Sequence, residues 1–210
     1  MRILFFGDSV TELGRDYSGV GFMRFGVGYP LLVAAELYKK DILKYEVINK
    51  GVGGNRVVDL YARIKADVWN REPDVLSIMI GVNDVWHDID KMHNGVDIVR
   101  FEKVYRMIID DTLERFPDMK FILCEPCYLH GVNTDGKYEQ FAAIHDYAAV
   151  AKKLAEEYGF PFVSLQKKMS EAAEKYGAGH YLIDGIHPDV AGARIIADEW
   201  LKVFEEQNWD

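Results

Sequence analysis

The chain reads as a doubly wound α/β sandwich, and two features of its 210 residues predict that class. Five short apolar runs alternate with longer segments whose apolar residues recur at helical spacing. Each run is apolar along most of its length, the pattern of parallel strands covered on both faces. Parallel strands need crossover connections, which the intervening segments supply. No linker, repeat or low-complexity stretch interrupts the alternation, so residues 1–210 are expected to form one domain.

The first run, RILFF (2–6), stops on Gly7-Asp8-Ser9. A glycine-rich stretch, GVGFMRFGVG, then leads into a helical segment over 29–39. YEVIN (45–49) is the second strand, followed by a helix over 56–70 with Val57, Leu60, Tyr61, Ile64 and Val68 along one side. DVLSIMI (74–80) is the third. Between 98 and 116, Phe101, Val104, Tyr105, Ile108, Ile109, Thr112 and Leu113 keep to the i, i+3, i+4, i+7 rule. KFILCE (120–125) precedes a helix over 138–158, where Phe141, Ile144, Ala148, Ala151 and Ala155 repeat the pattern. FPFVSL (160–165) is the fifth strand, and a last helix over 189–204 follows His187-Pro188, with proline near a helix start as usual. His145 falls away from the apolar stripe of its helix and is expected to be exposed. Tyr17, Phe22, Phe25 and Tyr29 interleave with glycines, which suggests a shaped loop beside a pocket, or a subunit interface, rather than core.

Composition narrows the function. The formal net charge of −9 argues against a nucleic-acid binder and against docking on an anionic membrane surface. No stretch approaches the ~20 apolar residues of a membrane span. The N-terminal run is too short for a signal peptide and has no small-residue cleavage site, so a cytoplasmic setting is expected. Cys124 and Cys127 form CEPC, but Cys124 ends an apolar strand instead of opening a helix, so buried thiols are expected rather than a redox pair. One C-x-x-C is also only half a zinc site.

In open α/β sheets, ligands bind outside the carboxyl ends of the strands. Gly7-Asp8-Ser9 follows the first strand, KGVGGNR the second and GVNDVW the third, and YLIDGIHPD comes late in the chain. Each is unremarkable alone: Gly-Asp-Ser and Asn83-Asp84 read as turns, and GVGGN reads as a phosphate-binding turn without the P-loop lysine. Together they supply a chemistry. A serine hydroxyl needs an adjacent base, and the base needs a third group to fix its tautomer. Asp184 and His187 can serve Ser9 in those roles. The developing oxyanion needs fixed donors, for which the amides of Ser9 and Gly54 and the side chain of Asn83 are candidates. Asp8 is read as holding the serine turn through backbone hydrogen bonds, with a metal ligand, an acid or a substrate contact as the other roles. Trp86 either stacks on a sugar face or packs against the lid. His87, Asp88, Asp90 and His93 have no defensible metal spacing, and 86–97 reads as a solvated lid loop.

These four blocks, with Ser9, Gly54, Asn83 and the D-x-x-H of DGIH in order along nearly the whole chain, resemble the SGNH or GDSL hydrolases. The resemblance implies a flavodoxin-like three-layer α/β/α sandwich with a five-stranded parallel sheet. It implies ester hydrolysis with Ser9 as nucleophile, Asp184 and His187 completing the triad, and Gly54 and Asn83 lining the oxyanion hole. No cofactor or metal is called for. GDSVTELGRDYSG, the run through GVGYP, and SIMIGVNDVW are similar to the intracellular acetylxylan esterases, which implies removal of acetyl groups from sugar hydroxyls. One position departs: that branch tends to carry a bulky aromatic just before the triad aspartate, where this chain has Ile183. Two rivals stand beside this reading. One is a lysophospholipase or thioesterase acting on longer acyl chains, the other a flavodoxin-like protein that binds phosphate or flavin without chemistry. The expected partner is a small-molecule or oligosaccharide ester, and the apolar loops suggest that subunits pack together.

Overall fold

The computed structural model describes residues 1–91 and 93–209, and at its centre lies a five-stranded sheet in the order β2-β1-β3-β4-β5. β1 (Arg2–Gly7) pairs in parallel with β2 (Glu46–Gly51) on one side and β3 (Val75–Met79) on the other. β4 (Lys120–Cys124) and β5 (Phe162–Val163) extend the sheet, also in parallel. This is the flavodoxin-type strand order, whose reversal of direction falls between β1 and β3. Register sets Gly7 opposite Gly51 and Met79, so three strands finish side by side where the motif loops begin.

Helices cover both faces. α2 (Tyr29–Asp41) and α9 (Val190–Glu206) pack together on one, and α3 (Val57–Asp67), α5 (Ile98–Arg115) and α7 (Ile144–Tyr158) line up across the other. The remaining helices are α1 (Ser9–Glu12), α4 (Val82–Ile89), α6 (Tyr138–Phe141) and α8 (Gln166–Tyr176). Ile3, Leu4, Phe5 and Phe6 of β1 are all fully buried, because successive side chains point to opposite faces and both are covered. Phe5 meets Tyr29 of α2 at 5.4 Å and Trp200 of α9 at 5.0 Å between ring centroids. Phe6 lies on the other side, under the guanidinium of Arg63 from α3 at 4.4 Å. Burial of each such ring contributes about 2–3 kcal/mol.

Several elements differ from the sequence-based expectation. The last strand is only Phe162–Val163. The helix expected over 138–158 is two, because Ala142 and Ala143 adopt φ −57°, ψ −23°. Those angles are 3₁₀, and His145 and Asp146 accordingly donate to carbonyls three residues back, Ala142 and Ala143, at 3.0 and 2.9 Å. α8 was not expected: only Met169 of its residues is buried, so it carries no apolar stripe to read. Residues 82–89, expected as loop, are helical. Phe25 and Tyr29 also belong to the core, 5% and 0% exposed, whereas Tyr17 and Phe22 remain exposed. Tyr29 is drawn inward because its hydroxyl finds Thr11 Oγ1 at 3.0 Å, which removes the cost of burying it. His145 is exposed, as its position on the helix predicts.

Gly51 makes the junction of β2 with α1 possible. A Cβ there would stand 2.7 Å from Glu12 Cα, inside the helix backbone. The close approach brings the loop after β2 against the turn that carries Ser9.

Candidate active site

Ser9 is the first residue of α1, directly beyond β1. Asp8 caps that helix: its backbone is extended and its carboxylate accepts from Val10 N at 2.9 Å. It is 1% exposed, so it lies beneath the serine and holds the turn. Burial pushes its pKa up to about 6.

Ser9 Oγ stands 2.8 Å from His187 Nε2, and His187 Nδ1 stands 2.7 Å from Asp184 Oδ2. The short loop from Asp184 to His187 folds around its own carboxylate, whose Oδ1 accepts from the amides of Ile186 at 2.9 Å and His187 at 2.8 Å. Gly185 makes the turn possible, with φ +97° and backbone of Leu129 where a Cβ would be. Asn133 Nδ2 donates to Asp184 Oδ2 at 2.8 Å, a contact no sequence motif pointed to. Burial alone would raise the Asp184 pKa. The amide of His187, its ring and the amide of Ile186 outweigh that and hold the carboxyl below its ordinary value. An ionised Asp184 fixes the proton of His187 on Nδ1 and leaves Nε2 as the acceptor facing the serine.

The amides of Ser9 and Gly54 have no partner among the described residues. Gly54 has φ +76°, a conformation that suits glycine and turns its amide out of the loop's own hydrogen bonding. Asn83, 5% exposed in the first turn of α4, gives one amide hydrogen to Asn55 O at 3.1 Å and keeps a second.

The loops after β2 and β3 are tied together. Asp84 Oδ1 accepts from Val57 N, the first amide of α3, at 3.0 Å. Arg56 Nη1 reaches Asn94 Oδ1 at 2.6 Å and its Nε reaches Asp59 at 2.9 Å. Asp84 is fully buried, and that burial pushes its pKa up to about 8. Its role was hidden in the sequence, where Asn83-Asp84 reads equally as a turn. Trp86 packs edge-on against Phe141 at 5.7 Å and has its ring 6.3 Å from that of His187, so it walls the site. His87 lies by the loop after β2, its Cε1 3.9 Å from where a Cβ on Gly54 would stand. Ile183, before the aspartate, is 56% exposed, and its amide donates to His187 O at 2.9 Å. Of the segment 86–97, read as a lid loop, Met92 lies outside the described residues. No group of three or more His, Cys, Asp or Glu among the described residues could hold a metal ion. Likewise, no helix among them is long and apolar enough to cross a membrane.

A hydroxyl, imidazole and carboxylate in series at the strand ends of an α/β sandwich are the equipment of a carboxylic ester hydrolase. Residues 5–195 match the GDSL-like lipase/acylhydrolase family, and the chain belongs to it. It is 36% identical over 208 residues to an acetylxylan esterase of Geobacillus stearothermophilus, covering 96% of this chain and 92% of that one. Among solved structures, a protein of Parabacteroides merdae described as a GDSL-like lipase superposes with a TM-score of 0.89 at 33% identity, covering 97% of this chain and 95% of that one. A variant of the Geobacillus acetylxylan esterase gives 0.85 at 33% identity, covering 96% and 93%. Membership of an acylhydrolase family sets aside the reading of these loops as a phosphate or flavin site without chemistry.

Proposed function

We propose that this protein removes acetyl groups from carbohydrate hydroxyls through an acyl-enzyme on Ser9. The observation that carries this is the unbroken series of contacts from Ser9 Oγ through His187 to Asp184, at 2.8 and 2.7 Å. Ser9 Oγ attacks the ester carbonyl while His187 Nε2 takes its proton. The amides of Ser9 and Gly54 and the free hydrogen of Asn83 hold the tetrahedral oxyanion. His187 returns the proton to the departing sugar hydroxyl, leaving acetyl on Ser9. Water, deprotonated by the same ring, then releases acetate.

Solved forms of the Geobacillus acetylxylan esterase described as catalytic mutants have a serine, an aspartate or a histidine replaced, which supports the same three residue types here. The reading extends to an oligosaccharide partner and to a cytoplasmic setting, which two free, buried thiols suit.

The test is a panel of acetylated xylo-oligosaccharides, other acetylated sugars, and p-nitrophenyl esters of rising chain length. A deacetylase turns over the acetyl sugars and loses rate steadily from acetate to octanoate. A rate that climbs with chain length, each methylene adding ~0.8 kcal/mol, would make it a long-chain acylhydrolase instead.

A further inference from the structure

Ser9 and Glu12 stand three residues apart on the single turn of α1, on one side of it. Glu12 Oε2 lies 3.2 Å, and Ser9 Cβ 3.9 Å, from the point a Cβ on Gly53 would occupy. The carboxylate and the serine thus flank the same gap, which Gly53 leaves open by having no side chain. Glu12 is half-buried, yet its carboxylate makes no hydrogen bond or ion pair among the described residues. The cations around it are committed elsewhere. Arg15, which feels its charge, donates to Gly51 O at 2.7 and 3.2 Å and stacks over Tyr17 at 4.2 Å. Arg63 is taken by Asp67, Asn55 and the carbonyls of Lys50 and Gly7.

A half-buried carboxylate with no donor among the described residues is stabilised when a hydroxyl donates to it. An acetyl group has no such donor, whereas the alcohol half of a sugar ester carries them next to the ester oxygen. We propose that Glu12 is a specificity residue that accepts a hydrogen bond from a free hydroxyl neighbouring the acetylated oxygen of the substrate. This deepens the carbohydrate-deacetylase reading and rests on it. Hydroxyl-to-carboxylate bonds are among the stronger hydrogen bonds, and a site built for a hydroxyl discriminates against the analogue lacking it.

The test separates the hydroxyl from the sugar by comparing 2-hydroxyethyl acetate with 2-methoxyethyl acetate. The native protein should favour the free hydroxyl by about tenfold or more in kcat/KM, the range of a charge-assisted hydrogen bond. Glu12→Gln and Glu12→Ala should each collapse that ratio to within about twofold. A native preference that both variants keep overturns the proposal, as does no preference in the native protein. A loss shared equally by both esters, with the ratio intact, also overturns it and makes Glu12 structural. The parent reading is judged separately, on acetylated xylo-oligosaccharides. If those are not turned over while the two small esters are, the sugar assignment fails and the ratio still decides the role of Glu12.

Discussion

Replacing Asn83 with alanine separates transition-state stabilisation from scaffolding. The side chain has two amide hydrogens, one given to Asn55 O at 3.1 Å and one free to meet the oxyanion. Losing an oxyanion donor costs about 2.7–4 kcal/mol of barrier, so kcat should fall roughly 10²–10³-fold with KM little changed. Losing the bond to Asn55 is a separate, smaller effect of about 1 kcal/mol on folding. For 210 residues that lowers Tm by about 2–4 °C. Steady-state hydrolysis of p-nitrophenyl acetate gives the first quantity and a thermal melt the second. Asn83→Asp sharpens the contrast, because a near-isosteric carboxylate only accepts and sets its charge against the oxyanion; it should be slower than alanine. If KM alone rises in Asn83→Ala while kcat holds, the side chain binds substrate and the oxyanion assignment is wrong. A collapse in Tm with no kinetic defect in the folded fraction would refute it as well.

The other predictions follow from charge and burial. Asp184→Asn should lower kcat by roughly 10³–10⁴ with the fold retained, since an amide can stabilise the wrong tautomer of His187; a loss under tenfold in p-nitrophenyl acetate kinetics would count against the triad. With its pKa held at about 8 against an ordinary 3.8, buried Asp84 keeps a proton in the folded chain that the unfolded chain releases. Stability from this group is therefore complete below pH ~4 and falls as pH rises towards 8, by on the order of 5 kcal/mol. Asp84→Asn should flatten the decline in Tm measured between pH 5 and pH 8, and an unchanged slope would contradict this. Cys124 and Cys127 are both pushed up to about 12 by burial. Iodoacetamide at pH 8 should modify neither in the native protein and both once it is unfolded, as read by intact mass; rapid native labelling would restore the redox reading of CEPC.

Much of the fold was legible because β1, β3 and β4 are buried on both faces and so are apolar without alternation, a pattern that survives any detail of packing. The positions of Ser9, Gly54, Asn83, Asp184 and His187 were legible because each loop follows a strand end or carries a spaced D-x-x-H. What sequence concealed were partnerships made across space. Asn133 reaches Asp184 from 51 positions away, and nothing local marks it. Asp84 reads as a turn residue until the first amide of α3 is seen resting on it. Tyr29 looked like a loop aromatic because glycines precede it; its hydroxyl bond to Thr11 is what admits it to the core. α8 escaped because a helix lying over the surface with one buried residue, Met169, has no period to detect. Glu12 carries no sequence signal for the opposite reason: what marks it is a missing partner, visible only once its neighbours are placed.

A fluorophosphonate probe followed by intact-mass and peptide analysis reaches the central claim most directly. One adduct per chain, on the peptide carrying Ser9, absent from Ser9→Ala and much slower in His187→Ala, is the predicted result. No labelling of the native protein, or labelling that persists in Ser9→Ala, would contradict it.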